Sequence, residues 1–189
     1  MQPIILASQS PRRKQLLTWA EIPFEVCVKE TDEAFPSGMP IAEVPVYIAR
    51  NKAMAVMHAV SADRIILAAD TIVVLDDEVI GKPSGREDAI LTLQKLSGKT
   101  HRVITGVVLQ KANEEHCFAD ITEVTFHELT LDQIIYYVDR YQPYDKAGAY
   151  AIQEWIGVVG IAKISGDFYN VMGLPISRLV KPLQLLTNS

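Results

Sequence analysis

Cysteine is scarce in this chain, with two residues, Cys27 and Cys117, among 189. Two distant cysteines make neither a disulfide framework nor a zinc site, and both are expected as buried free thiols in a reducing compartment. Basic charge is in deficit too: 18 Lys and Arg face 23 Asp and Glu, a formal net charge of −5. That balance excludes the broad cationic surface by which proteins hold nucleic acid, and no basic aromatic stretch offers a stacking platform in its place. Long apolar runs are absent. The longest, Ile156 to Ala162, contains two glycines and is strand-sized, against the ~18 uninterrupted apolar residues of a membrane span. The N-terminal Met1-Gln2-Pro3-Ile4-Ile5-Leu6-Ala7 lacks the basic segment of a secretory leader, so a cytoplasmic protein is expected. The histidines, His58, His101, His116 and His127, show no zinc-ligand spacing, and neither a Walker loop nor a dinucleotide fingerprint is present.

What is present is core-forming material: 49% hydrophobic residues and 22% charged ones. Strand-like and helix-like segments alternate. Ile4–Ala7 reads as a buried strand, and Ser10 then caps a helix opened by Pro11 and running to about Ala20. Phe24–Val28 reads as a strand, Glu30–Pro40 as a loop, and Ile41–Val60 as a long helix with Pro45 in its first turn. Arg64–Leu75 is an apolar strand, reversed by the acidic turn Asp76-Asp77-Glu78 into Val79–Pro83. A helix over Arg86–Leu96 stops at Ser97-Gly98. His101–Gln110 and Cys117–Leu129 alternate like paired strands around a loop with Asn113. Thr130, with Gln133 placed for a capping box, starts a helix to about Arg140. Val158–Ile164 is expected as a strand, and Leu174–Leu186 as a helix interrupted near Pro182. The mixture predicts an α/β fold on a mixed sheet.

Five segments could carry chemistry. Ser8-Gln9-Ser10-Pro11-Arg12-Arg13 lies where a strand passes into a helix, whose exposed N–H groups and dipole favour an anion. Acids normally occupy a first turn, so two arginines there are unfavourable unless something negative binds. An ordinary N-cap with solvated arginines is the bland alternative. Asp70, beside Thr71, sits in an apolar strand, where a carboxylate is costly unless paired, hydrogen-bonded or on a metal. It is a candidate base for water, a metal ligand, or a structural ion pair. The loop Glu30-Thr31-Asp32-Glu33 offers carboxylates that suit Mg²⁺ or simply solvent. Lys82, between Gly81 and Pro83, and Lys52, on the long helix, each supply an ammonium. Asp145–Gln153 combines small residues, which admit close backbone approach, with an amide able to match the edge of a pyrimidine base, provided its orientation is fixed. Tight packing around a turn accounts for that segment equally well.

Taken in order, Leu6–Arg13, the acidic loop ending in Glu33, Ala69-Asp70-Thr71, Gly81-Lys82-Pro83, His101–Gly106, Asp145–Gln153 and Asn170–Pro175 resemble the Maf family. The match runs end to end, as one domain over residues 1–189. Gln9 departs from it, standing where a small residue is common. The resemblance implies a fold like that of inosine triphosphate pyrophosphatases: an elongated mixed β-sheet flanked by helices, with two lobes around a central cleft. It implies a hydrolase that cuts nucleoside triphosphates to monophosphate and pyrophosphate with a divalent metal, Mg²⁺ or Mn²⁺. Asp70 would be its proton acceptor and Glu33, with Asp70, its metal contact. Arg12, Thr71 and Gln153 match positions tied to substrate choice. Ser8, Ser10, Arg13, Lys52 and Lys82 match positions that touch the triphosphate. The ending Ala-Tyr-Ala-Ile-Gln is similar to the branch acting on dTTP and UTP, whereas the 7-methyl-GTP branch lacks the Gln. The resemblance leaves open a homodimer, and also a nucleotide-binding regulator of cell division that does not turn its ligand over.

Overall fold

A computed structural model describes residues 2–188. It contains β1 (Ile4–Leu6), α1 (Pro11–Trp19), β2 (Phe24–Val26), α2 (Val44–Met57), β3 (Ile66–Leu75), β4 (Glu78–Ile80), α3 (Arg86–Leu96), β5 (Thr100–Lys111) and β6 (Glu114–Phe126). There follow α4 (Leu131–Tyr141), a 3₁₀ turn (Ala147–Ala149), α5 (Trp155–Gly160), β7 (Ile161–Ser165), α6 (Phe168–Met172) and α7 (Ile176–Asn188). The seven strands make one sheet in the order β2-β1-β3-β5-β6-β7, with β4 paired to β3. β1 runs parallel to β2 and β3, while β3–β4 and β6–β7 are antiparallel, so the sheet is mixed as expected. No helix among the described residues is long and apolar enough to cross a membrane.

The chain forms two compact units, each drawn from separated stretches. The first comprises the described residues up to Asp70, Thr105–Asp120 and those from Gly173 onward. Its core joins Ile5 and Ala7 to Ala49, Ala53 and Val56 of α2, with Ile66, Ala68 and Val108. Alanines at this contact let α2 lie close. Gly106 completes the approach, since a methyl group there would stand 2.2 Å from the backbone nitrogen of Val46. Ser10 caps α1 by accepting the N–H of Arg13, and Pro11 occupies the first turn, where its missing donor costs nothing. α2 begins at Val44 rather than Ile41, and Pro45 falls in its first turn.

The second unit comprises Thr71–Ile104 and Ile121–Met172. Asp76 and Asp77, both with positive φ, form the two-residue turn between β3 and β4, the backbone that matches the twist of paired strands. Thr130 and Gln133 make the expected capping box at the start of α4, in both directions. Asn170, fully buried, donates to the Val103 carbonyl at 3.1 Å and to the Thr122 hydroxyl at 3.0 Å.

Three expectations need correction. Val158–Ile164 is not one strand: α5 covers Trp155–Gly160 and β7 begins at Ile161. Ile156 and Gly160 are buried one helical turn apart while Val158 is 80% exposed, a pattern that a short apolar run conceals because such runs suit either element. α7 continues through Pro182, with Leu179, Leu183 and Leu186 buried along one face; that packing outweighs the missing backbone donor. Both cysteines are free, but Cys117 is exposed and Cys27 only half-buried. Cys117 lies on the solvated portion of β6, where its sulfur accepts from Arg50 at 3.3 Å.

Candidate active site

Within the first unit the chain turns from β1 into α1 over Ser8–Pro11. Ser8 is buried, and its Oγ accepts the N–H of Ser10 at 3.2 Å and Nη1 of Arg13 at 3.0 Å. The Arg13 Nε donates to the Gly173 carbonyl at 2.8 Å. Arg13 is therefore a buried strut of the helix tip rather than a solvated arm. Burial pushes its guanidinium below the ordinary value. The Asp70 carboxylate pulls in the opposite direction, Arg12 adds to the lowering, and Glu33 opposes it. Arg13 thus feels both acids singled out in the sequence. Arg12, half-buried, follows Pro11 on the same first turn.

Asp70 is 9% exposed on β3. Its partner is Lys52, whose Nζ donates to Oδ1 at 2.7 Å. The same nitrogen donates to Oε1 of Glu33, also at 2.7 Å. Lys52 lies on α2 between Ala49 and Val56, both buried in the core, and its own side chain is only 17% exposed. Two elements, the 30–40 loop and β3, each deliver a carboxylate to the one ammonium carried by α2. The lysine resolves the cost of a carboxylate in an apolar strand, and it was among the weakest signals in the sequence.

Ser8, Ser10, Arg12, Arg13, Glu33, Lys52 and Asp70 are thereby gathered in one unit. Thr71, Lys82 and Gln153 belong to the other. There the Gly81 carbonyl accepts the N–H of Gly148 at 3.1 Å, tying the Lys82 segment to the segment that ends in Gln153. Gly148 has a positive φ of 71° and packs against Val73, close enough that a methyl group there would crowd the valine. Lys82 and Gln153 are exposed and Thr71 is half-buried.

The turn bearing Gln153 is held by residues that carry no motif of their own. Tyr137, fully buried in α4, donates from its hydroxyl to the Glu154 carboxylate and accepts the Ala151 N–H at 3.1 Å. A Cβ on Gly157 would fall 1.7 Å from the Ile152 carbonyl oxygen, so only glycine fits where α5 meets that turn. Tyr150 hydrogen-bonds Nε2 of His101 at 2.7 Å, and both rings pack on Phe126. Burial holds His101 down to about 4 and pushes the Tyr150 phenol up. The Glu immediately after Gln153 was the one available hint of this support.

Among the described residues no group of three or more His, Cys, Asp or Glu is placed to hold a metal ion. Glu33 and Asp70 do meet at a single cation. Two hard oxygen donors suit Mg²⁺ or Mn²⁺, which complete their shells with water and substrate phosphates.

An α/β frame with an arginine-bearing helix tip beside a lysine-bridged pair of carboxylates is a class of site suited to polyanions. The Maf-like protein family model matches residues 3–186, and the chain belongs to that family. It is 48% identical over 184 residues to a dTTP/UTP pyrophosphatase of Bacteroides fragilis, covering 97% of this chain and 95% of the relative. A dTTP/UTP pyrophosphatase of Phocaeicola vulgatus is 50% identical over the same shares of the two chains. One of Cytophaga hutchinsonii is 50% identical across 98% of this chain and 84% of its own. Among solved structures, the Staphylococcus aureus Ham1 protein matches 66% of this chain and 72% of its own at TM-score 0.47 and 12% identity, a likeness too distant to bear on activity.

Proposed function

We propose that the protein hydrolyses the α–β phosphoanhydride of pyrimidine nucleoside triphosphates, dTTP and UTP, to the monophosphate and pyrophosphate. The observation that carries this reading is the buried Asp70, held by Lys52 beside Glu33 and within the field of Arg13. Relatives about half identical over nearly the whole chain, each named a dTTP/UTP pyrophosphatase, support the same choice. The regulatory reading without turnover has no observation in its favour.

In the proposed reaction Asp70 orients a water molecule and accepts its proton as the oxygen attacks the α-phosphorus. The bond from that phosphorus to the bridging oxygen breaks, and pyrophosphate leaves with the electron pair. Arg12, the Ser8–Ser10 turn and the α1 N-terminus stabilise charge on the phosphates, assisted by Lys52 and Lys82. Arg13, committed to Ser8 and Gly173, holds that arrangement rigid. A divalent ion, held by Glu33 and Asp70, would neutralise triphosphate charge at the reacting centre. Gln153, with Thr71, reads the base edge.

The test is a panel of canonical and modified nucleotides with Mg²⁺, scored for monophosphate and pyrophosphate. Turnover of dTTP and UTP ahead of purines is expected. Release of orthophosphate instead, or no turnover of any nucleotide, sinks the reading.

A further inference from the structure

The bridge made by Lys52 has a chemical meaning beyond contact with a substrate. One ammonium lies 2.7 Å from Glu33 Oε1 and 2.7 Å from Asp70 Oδ1. Its side chain is 17% exposed and that of Asp70 12%, so this inner contact is poorly screened, while Glu33 is half open to water. Oxygens that share one nitrogen at this distance need only a small approach to share a divalent ion, whose bonds to oxygen run about 2.0–2.2 Å. Charge sharpens the point. Lys52 already bridges the two carboxylates and Arg13 lies within their field, so a divalent cation added beside an unmoved lysine would meet like charge.

We propose that Lys52 is a resident counter-ion occupying the place of the divalent cation between Glu33 and Asp70, so that metal binds only as the ammonium leaves. Lys52 is stable off the carboxylates once another anion receives it, and an incoming polyphosphate is such an anion. Metal and triphosphate therefore enter together, and the nucleotide-free protein, its two acids already bridged by the lysine, holds divalent ions weakly. The inference rests on the metal-dependent reading of the site given above. In it Lys52 is a positioning residue in the resting protein and a phosphate ligand in the loaded one.

The experiment is calorimetric titration of Mn²⁺ alone into the nucleotide-free wild type, Lys52→Met and Lys52→Arg. Removing the ammonium should tighten Mn²⁺ binding by at least about tenfold, whereas arginine, which keeps the charge, should leave it weak. Affinity in Lys52→Met equal to or below that of the wild type overturns the inference. A crystal structure of the wild type with Mn²⁺ and a non-hydrolysable triphosphate gives a second readout. Lys52 Nζ beyond about 4 Å from both carboxylates, with Mn²⁺ between them, supports displacement. Mn²⁺ on those carboxylates with the lysine bridge intact refutes it. Pyrophosphate release from dTTP by the same wild-type sample separates the two readings. Release with unchanged Mn²⁺ affinity in Lys52→Met removes the counter-ion alone, and tighter Mn²⁺ binding without release from any nucleotide removes the enzyme alone.

Discussion

The Tyr137 hydroxyl accepts the backbone N–H of Ala151 at 3.1 Å, fastening the turn that presents Gln153 to the buried face of α4. The same oxygen donates to Glu154, so Gln153 is bracketed on both sides by one phenol. Tyr137→Phe keeps the ring and removes the bracket. A hydrogen bond is worth about 0.5–1.5 kcal/mol net, so KM for dTTP should rise roughly two- to tenfold with kcat nearly unchanged. Discrimination between dTTP and CTP should weaken with it. Steady-state kinetics on both nucleotides measure this, and an unaltered preference would show that the bracket serves stability alone.

Asp70→Asn preserves shape while removing the proposed proton acceptor. Turnover should fall at least ~10²-fold. Pyrophosphate release close to the wild-type rate would remove Asp70 from the chemistry.

Arg13→Lys should act on stability first. A single ammonium cannot reproduce the fork that reaches the Gly173 carbonyl and the Ser8 hydroxyl together. Leaving one such buried group unpaired costs about 1–3 kcal/mol, or roughly 2–12 °C in Tm for a chain of this size. Turnover should drop as well, since Ser8 loses its brace. A wild-type melting curve would contradict the strut.

His101 makes stability depend on pH. Its folded value of about 4 lies below the usual 6.5, so the unfolded chain takes up the proton first as pH falls. The contribution is whole above about 6.5 and is lost progressively down to about 4, amounting to about 3 kcal/mol. Urea unfolding of the wild type should weaken accordingly between pH 7 and pH 4.5. The double variant His101→Phe, Tyr150→Phe keeps the ring packing and should lose this component of the pH dependence. Equal slopes in the two proteins would exclude His101 as its source.

Gly106→Ala should cost at least about 2 kcal/mol, because the new methyl meets backbone rather than a flexible side chain. The displaced α2 carries Lys52 with it, so the change should also lower activity. Gly85→Ala, where an added methyl meets nothing within 4 Å, is the control. Equal denaturation midpoints for the two variants would show that α2 yields freely.

Much of this organisation is legible residue by residue. Ser10-Pro11 announces a helix start, Asp76-Asp77 a tight reversal, and Thr130 with Gln133 a capping box, because each signal acts within four residues. Asp70 stood out because an apolar strand penalises a carboxylate wherever it folds. Lys52 is legible only as a candidate ammonium, and its bridge to two acids is not, since a lysine on a helix looks the same whether it meets water or carboxylates. Tyr137 and Gly157 were silent for a related reason: what they touch comes from another element or from across a turn. α5 resembles a strand in sequence because a run of Ile, Val and Gly satisfies either period until its neighbours decide. The local pattern around Cys117 suggests burial, whereas the first half of β6 is largely open to solvent.

The Arg13–Gly173 hydrogen bond joins residues 160 positions apart. During synthesis on the ribosome, the first helix emerges long before the carbonyl that will receive its guanidinium. Until then the guanidinium stays in water with only local partners such as Ser8, and the contact that ties the tip of α1 to Gly173 can form only once that late segment is made.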